Sequence, residues 1–402
     1  MSKTNVAIIG TVGIPAKYGG FETLAEHLVD HLGNETNITV YCTTKKYGQS
    51  ERPATYKGAR LVYLPFDANG IQSIIYDCFS ILHALFYADV MLILGVSGGF
   101  MVPFVRWFTK KKIIISIDGI EWKRNKWSKL ARWYLWAAEW VAVRYSHADI
   151  SDNESIQNYT AIRYKTLSHI IEYGADHTIA VSPTPADRET YPFLAAPYAF
   201  TVCRIEPENN IHLILEAFAQ LPKHTLVMVG NWTNSEYGAS LREQHKKDTN
   251  IHLLDPIYDQ RQLDLLRSNC LIYVHGHSAG GTNPSLVEAM YLGLPVIAFD
   301  VAYNRSTTEN KALFFRTSAE LTKHIQNTSI SELKNRADIM KTIAYRRYTW
   351  TVIAQKYAYL IRLVQQVSTK KELNSLAGTR LSSDWLLESE LAHLERPSYF
   401  YE

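Results

Sequence analysis

Short apolar runs alternate with longer amphipathic segments along almost the whole chain, and this alternation constrains the fold more than any other feature. Runs that are apolar throughout, such as Val90–Leu94, are typical of strands buried on both faces of a parallel sheet. The longer segments would form helices that cover those faces, so the sequence predicts an α/β protein. The predicted strands are Asn5–Ile9, Ile38–Tyr41, Leu61–Leu64, Val90–Leu94, Ile113–Ile117, Ala148–Ile150, Phe200–Cys203, Leu226–Val229, Ile251–Leu254, Leu271–Val274, Val296–Phe299 and Ala312–Phe315.

A proline-containing stretch at residues 181–197 separates two series of six predicted strands. It holds four prolines at spacings that do not suit a helix, so we interpret it as a linker. Two doubly wound domains joined there would bind a ligand in the cleft between them, at the carboxyl ends of their strands. The sequence therefore predicts domains at residues 1–180 and 198–347, followed by a helix and tail at 348–402.

Length and composition fit a folded protein of two domains. The chain has 402 residues, 47% of them apolar and 20% charged, which leaves enough apolar surface for two cores. A net charge of +3 is too small to indicate nucleic acid binding by itself. No signal-peptide pattern precedes the first predicted strand, and the uncharged stretch at 90–105 is too short to span a bilayer. We expect a cytoplasmic protein.

The stretch from His275 to Met290 carries the clearest functional signal. A predicted strand leads into small residues, then Asn283 and Pro284, which are favoured at the N-cap and at the first position of a helix. Such a turn aims backbone N–H groups and the positive end of a helix at one place, which suits an anion. Glu288 lies one turn into the helix, where its carboxylate could accept hydrogen bonds from hydroxyl groups. The pattern indicates a diphosphate beside a sugar ring.

This stretch resembles the donor site of retaining GT-B glycosyltransferases of family four, and more narrowly their bacterial polysaccharide rhamnosyltransferase branch. The resemblance implies two Rossmann-like domains facing a central cleft, the first on the acceptor side, with a C-terminal helix crossing back to the first domain. The family carries two Glu residues eight positions apart; here Gly280 replaces the first, and Glu288 matches the second, which implies ribose binding. We predict donor binding by Gly280, Gly281, Thr282, Asn283, Ser285 and Leu286. His277 could act as a neutral hydrogen-bond donor near the diphosphate, and a histidine packed in the loop is the alternative.

The opening turn, from Gly10 to Glu22, follows the first predicted strand and precedes a helix predicted at Phe21–Leu32. A dinucleotide fingerprint fits poorly, because the Gly-x-Gly-x-x-Gly spacing is absent and no acid ends the second strand. A purely structural turn is an alternative. The turn also resembles the Gly-Gly-Phe-Glu loop of the GT-B N-terminal domain, which implies that Gly19 and Gly20 face the donor phosphates.

Two further strand ends carry charged residues. Asp118 begins the sequence Asp-Gly-Ile-Glu-Trp, which resembles a signature of the rhamnosyltransferase branch and implies contact with an acceptor or donor hydroxyl; a simple Asp-Gly turn is the alternative. Arg204 follows a strand of the second domain, where its guanidinium could bind a phosphate at two points. The segment resembles the Arg and Lys phosphate-binding segment of the family, but Asn209 occupies the Lys position, so Arg305 or the glycine-loop amides would have to compensate.

The segment Arg106–Arg132 is strongly basic, with nine Lys and Arg residues and two acids. The helix that follows has a second apolar stripe of Trp133, Trp136 and Trp140 in addition to the stripe that covers the core. Tryptophan beside Lys and Arg suits a lipid headgroup boundary, so we expect docking on an anionic membrane at the inner face of the cell membrane. A solvated charged face over a fully buried helix is the alternative.

Taken with the resemblance, the sequence predicts a cytoplasmic hexosyltransferase of surface polysaccharide synthesis. It would move L-rhamnose from dTDP-rhamnose, with retention, to a lipid-linked saccharide. We expect no cofactor and no metal, because Asp-x-Asp is absent and the pair His275 and His277 lacks further ligands at suitable spacing. An epimerase of the same fold and a nucleotide-sugar-binding protein without activity remain alternatives.

Overall fold

The computed structural model describes residues 3–17, 19–117, 119–123 and 127–376. The chain divides into two compact units. Unit 1 combines the residues up to Glu172 with those from Trp350 onward, and unit 2 is Tyr173–Thr349. The predicted linker at 181–197 therefore lies inside unit 2, where it contains a short helix and packs its Tyr191, Phe193 and Leu194 against the core.

All twelve strands predicted from the apolar runs are present, most within two residues of their predicted ends. Two strands of two residues each, β3 and β8, were not predicted because they are too short to show a pattern. The strands are β1 Thr4–Ile9, β2 Thr36–Thr43, β3 Thr55–Tyr56, β4 Ala59–Leu64, β5 Val90–Leu94, β6 Lys112–Ile117, β7 Ala148–Ser151, β8 His169–Ile170, β9 Tyr198–Val202, β10 Thr225–Val229, β11 Ile251–Leu254, β12 Ile272–His275, β13 Val296–Phe299 and β14 Leu313–Phe315.

Helices connect the strands. Most of the helices bury an apolar face and expose the opposite face to solvent. The helices are α1 Gly20–Leu32, α2 Gln72–Ala84, α3 Val102–Phe108, α4 Lys129–Tyr145, α5 Glu154–Tyr164, α6 Pro185–Thr190, α7 Ile211–Ala219, α8 Glu236–Gln244, α9 Gln260–Ser268, α10 Pro284–Tyr291, α11 Ala302–Thr307, α12 Ser318–Asn327, α13 Ile330–Arg347, α14 Trp350–Gln366 and α15 Lys370–Leu376. Within the described residues, no helix is both long enough and apolar enough to cross a bilayer.

Each unit is built on a mostly parallel sheet. The order in unit 1 is β3-β4-β2-β1-β5-β6-β7-β8, with only the β3–β4 pairing antiparallel among the described strands. The order in unit 2 is β11-β10-β9-β12-β13-β14. This is the doubly wound order, in which the direction of winding reverses between two adjacent strands. The prediction of two Rossmann-like α/β domains is confirmed.

The reversal of winding defines where a ligand is expected in each unit, because the loops after the two strands diverge there and leave a crevice. In unit 2 the reversal lies between β9 and β12, whose residues Ala199 and Ile272 are paired. The segment after β9 contains Arg204, and the segment after β12 contains the glycine loop. In unit 1 the reversal lies between β1 and β5.

Helix α14 completes unit 1 after the chain has built unit 2. Trp350 stacks on His27 of α1, with ring centroids 4.2 Å apart and planes 12° apart. Tyr357 is 1% exposed, and the Lys356 ammonium pairs with the Glu172 carboxylate at 2.5 Å. The predicted return of the last helix to the first domain is confirmed.

Candidate functional site

The glycine loop of unit 2 ends in a capped helix start. Asn283 has extended backbone angles, and its Oδ1 accepts hydrogen bonds from the Ser285 N–H at 3.0 Å and the Ser285 hydroxyl at 2.8 Å. Pro284 occupies the first helical position. Both were predicted, and both are confirmed. The helix dipole places partial positive charge at this end of α10, beside the carboxyl end of β12.

Two glycines of the loop serve different purposes. Gly280 has a φ of +113°, which L-amino acids rarely adopt, and a Cβ built on it would meet no atom within 4 Å. Gly276 is packed instead, since a Cβ there would lie 2.1 Å from the backbone oxygen of Asn209. Gly280 therefore opens the loop to a ligand, whereas Gly276 allows the neighbouring segment to come close.

Of the other residues predicted to bind the donor, Gly281 is half-buried and Thr282 is 3% exposed. The side chain of Leu286 is fully buried, and its N–H donates to the Asn283 carbonyl at 3.1 Å. Leu286 thus packs α10 against the core, and a ligand at the loop would meet the half-buried glycines before it met this side chain.

The segment after β9 is fastened to the glycine loop. The backbone N–H and the hydroxyl of Ser278 both donate to the carbonyl of Glu208, at 3.0 and 2.7 Å. Asn209 is 2% exposed, and its amide donates to the Arg204 carbonyl at 2.7 Å. Asn209 therefore shapes the turn and, being buried, does not replace the charge of a lysine.

Arg204 stands on this turn with its side chain about half exposed, at 48%. Its closest carboxylate is that of Glu206, with 3.9 Å between Nη1 and Oε1, which is a loose contact for an ion pair. A guanidinium held by so weak a contact keeps most of its donors available for a ligand. The structure places Arg204 and the glycine loop at the ends of adjacent strands of one sheet.

Glu288 is held by two partners that the sequence analysis did not identify. Its Oε2 lies 2.6 Å from Nη2 of Arg267, and its Oε1 lies 3.2 Å from Nε2 of His177. Burial alone would raise the pKa of Glu288, but the Arg267 guanidinium and His177 outweigh it, so the pKa lies below its usual value. Glu288 is an anion at neutral pH, and each oxygen has a second lone pair for a hydroxyl donor.

Arg267 also contacts a second, more deeply buried carboxylate, that of Asp264. Arg267 and Asp264 are 1% and 0% exposed, and 3.3 Å separates their Nη1 and Oδ1 atoms. Asp264 also accepts the backbone N–H of Ile179 at 3.2 Å. A signal for Arg267 was present in the sequence: Asp264 and Arg267, three apart in a short helix, flank two leucines that face the core.

The two histidines of the loop stack on each other. The rings of His275 and His277 are nearly parallel, 10° apart, with centroids 4.4 Å apart. Burial, and then the charge of His277, holds the pKa of His275 well below its usual value, so His275 is a neutral core residue. In the described part of the chain, no group of three or more His, Cys, Asp or Glu side chains has the arrangement of a metal site.

Arg305, suggested as a compensating cation, is already engaged. Its Nε donates to Asp300 at 2.5 Å, and its guanidinium lies over the Phe314 ring at 4.3 Å from the centroid. Arg316 shares the same carboxylate at 3.0 Å. These side chains line an open depression of about 560 Å³ on unit 2. Arg305 is therefore less available to a ligand, and compensation by the amides of the glycine loop stays a prediction.

In unit 1, Gly19 and Gly20 lie where α1 begins. A nearby carboxylate explains why position 19 is a glycine. Gly19 has a φ of +128°, and a Cβ there would lie 1.9 Å from Oε2 of Glu22. The other oxygen of Glu22 accepts the Val12 N–H at 2.7 Å, and Glu26 accepts the Ala16 N–H at the same distance. Two carboxylates of α1 thus fold the opening loop, and donor contact by Gly19 and Gly20 stays a prediction.

Asp118 lies outside the described residues, but the segment that follows it is anchored by Trp122. The Trp122 indole N–H donates to the Tyr159 hydroxyl at 2.8 Å, and that hydroxyl donates to the buried Glu139 carboxylate at 2.5 Å. Arg163 pairs with Glu139 at 3.1 Å and lies over the Trp122 ring at 5.1 Å. This cluster, which the sequence analysis missed, fixes the signature segment against α4 and α5.

Two family models match the chain. Residues 3–176 match a domain of unknown function, DUF1972, and residues 186–346 match the model of glycosyl transferases group 1. No curated protein sequence matches.

Solved structures match nearly the full chain at low identity. The sucrose-phosphate synthase of Thermosynechococcus elongatus has a TM-score of 0.73 and 17% identity, covering 90% of this chain and 98% of that one. A Rickettsia africae glycosyltransferase has a TM-score of 0.68 and 12% identity over 90% and 99% of the two chains. Anabaena HepE in complex with UDP-glucose has a TM-score of 0.67 and 15% identity over 89% and 99%. The chain therefore has the GT-B fold, and its residues 186–346 match the glycosyl transferases group 1 model; together these findings support a glycosyltransferase.

Proposed function

We propose that this protein transfers L-rhamnose from dTDP-rhamnose to a lipid-linked saccharide during surface polysaccharide synthesis. The observation that supports donor binding is the arrangement in unit 2. A half-exposed Arg204, an open glycine loop and a capped helix start follow the two strands where the winding reverses. The choice of rhamnose and of the dTDP nucleotide rests on the resemblance of residues 280–290 to the rhamnosyltransferase branch. The similar Anabaena structures contain UDP, so the nucleotide is the first point to test.

In this proposal the protein stabilises the departing nucleotide diphosphate. Negative charge develops on that group as the glycosidic bond breaks, and donors already fixed in position lower the barrier most. Arg204 and the N–H groups at the start of α10 would bind the diphosphate, while Glu288, fixed by Arg267 and His177, would accept the ribose hydroxyls. We propose that configuration is retained through attack on the same face, with the leaving phosphate accepting the acceptor proton, and that neither a metal nor a cofactor takes part.

The experiment is a donor panel with and without a lipid-linked saccharide acceptor. We expect nucleotide release only when dTDP-rhamnose and acceptor are both present, and NMR of the product should show the anomeric configuration of the donor. Conversion of the donor in the absence of acceptor would instead indicate an epimerase. Donor binding without turnover under any condition would indicate a nucleotide-sugar-binding protein.

Two substitutions test the site. Arg204→Ala and Glu288→Ala should each lower kcat/KM by roughly 10²-fold or more. The first variant loses a fixed hydrogen-bond donor to the departing diphosphate, and the second loses the carboxylate that would hold the ribose. Arg261→Ala is a matched control, since Arg261 is 50% exposed in the same unit and pairs with Asp187 instead. Near-normal rates for both site variants would exclude this donor site.

A further inference from the structure

The described part of unit 1 exposes large apolar side chains on three helices, α2, α3 and α4, and on residues next to them. Of the nineteen large apolar side chains that are exposed in the described residues, thirteen lie between positions 71 and 140, so they are concentrated rather than scattered. The strongest exposures are 87% for Phe86 and 79% for both Ile71 and Phe108. The thirteen are Ile71, Ile75, Phe79, Leu82, Phe86, Phe100, Phe104, Trp107, Phe108, Leu130, Trp133, Trp136 and Trp140.

These side chains belong to elements that touch one another. The N–H of Gly98 donates to Asp77 of α2 at 3.1 Å, which fastens the turn before α3 to α2. Phe100 contacts Tyr134 of α4 with ring centroids 5.4 Å apart, and Trp107 of α3 meets Tyr145 of α4 at 5.3 Å. On α2 and α4 the exposed side chains recur at intervals of three and four, which places each set on one helical face. The result is a set of adjoining apolar faces.

A basic cavity of about 850 Å³ adjoins the apolar set at Trp107, which belongs to both. No carboxylate is found among the described residues that line it. The charged residues in its lining are Arg106, Lys110, Lys112, Arg144, Lys370 and Lys371, and His147 also lines it.

Half of these cations are fixed to the cavity wall. The Arg106 guanidinium donates to the Ser368 carbonyl, the Lys112 ammonium donates to the Val367 carbonyl, and Lys370 pairs with Asp149 at 2.6 Å. Lys110, Arg144 and Lys371 are exposed. The fixed cations give the cavity a positive potential, and the exposed ones extend it outward. Three acids lie nearby. Glu139, the single acid of α4, is 1% exposed, Asp149 is bound to Lys370, and the exposed Glu372 interacts electrostatically with Arg106 and Lys112. Asp149 and Glu372 offset two of the six positive charges, so the cavity stays net positive.

We propose that these apolar faces and the basic cavity together form a surface that docks on an anionic lipid bilayer, with the cavity binding lipid phosphates. We call it the docking surface. Charge complementarity selects the occupant: apolar aromatic side chains enter the boundary between headgroups and acyl chains, while Lys and Arg bind the phosphates beside it. The surface extends the proposed function, since a lipid-linked acceptor lies in a membrane. Binding to lipid needs no donor, so it is tested separately from transfer.

The test is co-sedimentation of the full chain with vesicles in the absence of any donor. We expect binding to vesicles that contain phosphatidylglycerol, little binding to pure phosphatidylcholine, and loss of binding when salt rises from about 0.1 M to about 1 M, as the Debye length falls from ~10 to ~3 Å. Reversing two exposed charges, Lys110→Glu with Lys371→Glu, should lower the partition coefficient at least roughly 25-fold, because each basic side chain near an anionic surface contributes a factor of about five.

A second double variant, Trp133→Ala with Trp140→Ala, tests the apolar part and should weaken binding at every salt concentration. The matched controls are Lys247→Glu and Tyr258→Ala, which change exposed residues of unit 2 and should leave binding unchanged. Circular dichroism of each variant checks that it is folded. Equal binding by all variants would overturn the proposal, and so would the absence of vesicle binding. Light scattering that shows a dimer for the unchanged chain and a monomer for the Trp133 and Trp140 double variant would also overturn it, because the surface would then be a dimer interface. Failure of transfer by a chain that binds vesicles would count against the proposed function alone.

Discussion

Buried carboxylates in this protein behave in opposite ways according to their partners. Glu288 has a guanidinium at 2.6 Å, and its pKa is lowered in spite of burial. Asp77 is 2% exposed and accepts one hydrogen bond, from the Gly98 N–H, so burial raises its pKa to about 7. Its Oδ1 has no hydrogen-bond partner among the described residues, which fits a protonated carboxyl. Between these two carboxylates, the cation close to Glu288 accounts for the opposite direction of the pKa shift.

Asp77 should make the stability of unit 1 depend on pH. Its pKa is about 7 in the fold against an ordinary 3.8, so the fold binds the proton more tightly than the unfolded chain does. The stability that Asp77 contributes is therefore fully present at low pH and is lost as the pH rises from about 4 to about 7, a loss on the order of 4 kcal/mol. Asp77→Asn keeps an acceptor for Gly98 and removes the charge. Thermal unfolding should show that this variant gains more stability at pH 8 than at pH 5; an equal change at both would contradict the assignment.

At the scale of single elements, the start of α10 determines how well the donor site is formed. Asn283 supplies the cap, and Asn283→Ala removes the acceptor for the Ser285 N–H. We expect it to cost about 1 kcal/mol of stability, a typical value for losing an N-cap. We also expect weaker nucleotide binding, because the helix end would fray. Asn283→Ser keeps a capping oxygen and should restore both, as measured by chemical denaturation and by calorimetry with dTDP. Identical behaviour of the two variants would show that the cap is not needed.

The elements were predictable to the extent that their signals are local. Apolar runs located the strands, and the pair Asn283 and Pro284 located the start of α10, since capping depends on neighbouring residues. The partners of Glu288 were not predictable in this way, because His177 is 111 positions away and is brought close only by the fold. The same is true of Arg163 and Glu139, which are 24 positions apart on two helices. Long-range pairs of charged side chains leave no periodic trace in a sequence.

At the scale of the whole molecule, unit 1 is built from two separate parts of the sequence, and unit 2 lies between them. Unit 1 needs both parts of the sequence, because α14 buries Trp350, Ile353, Tyr357 and Leu360, each at most 2% exposed. Burying one such side chain contributes about 1.5–3 kcal/mol, so the loss of α14 removes several times that amount from unit 1. Unit 2 is continuous in sequence and has its own core.

This organisation predicts different fates for two fragments. Residues 173–349 alone should unfold cooperatively on heating, whereas residues 1–172 alone should be poorly folded and prone to aggregate. Joining residues 350–376 to the end of 1–172 through a flexible linker should restore a cooperative transition. Differential scanning calorimetry and near-UV circular dichroism of all three polypeptides measure these differences. A fragment 1–172 that is as stable as the joined form would show that α14 is dispensable.

The stacking of Trp350 on His27 has a consequence for biosynthesis. Translation proceeds from the N-terminal to the C-terminal end of a chain. The strands of unit 1 therefore leave the ribosome long before α14, the helix that packs on α1, has been translated. Unit 2 is emitted in between and is free to fold first. Unit 1 is thus completed only after unit 2 has been translated, and until then the apolar residues of unit 1 that α14 covers are the part of the nascent chain that a chaperone would recognise.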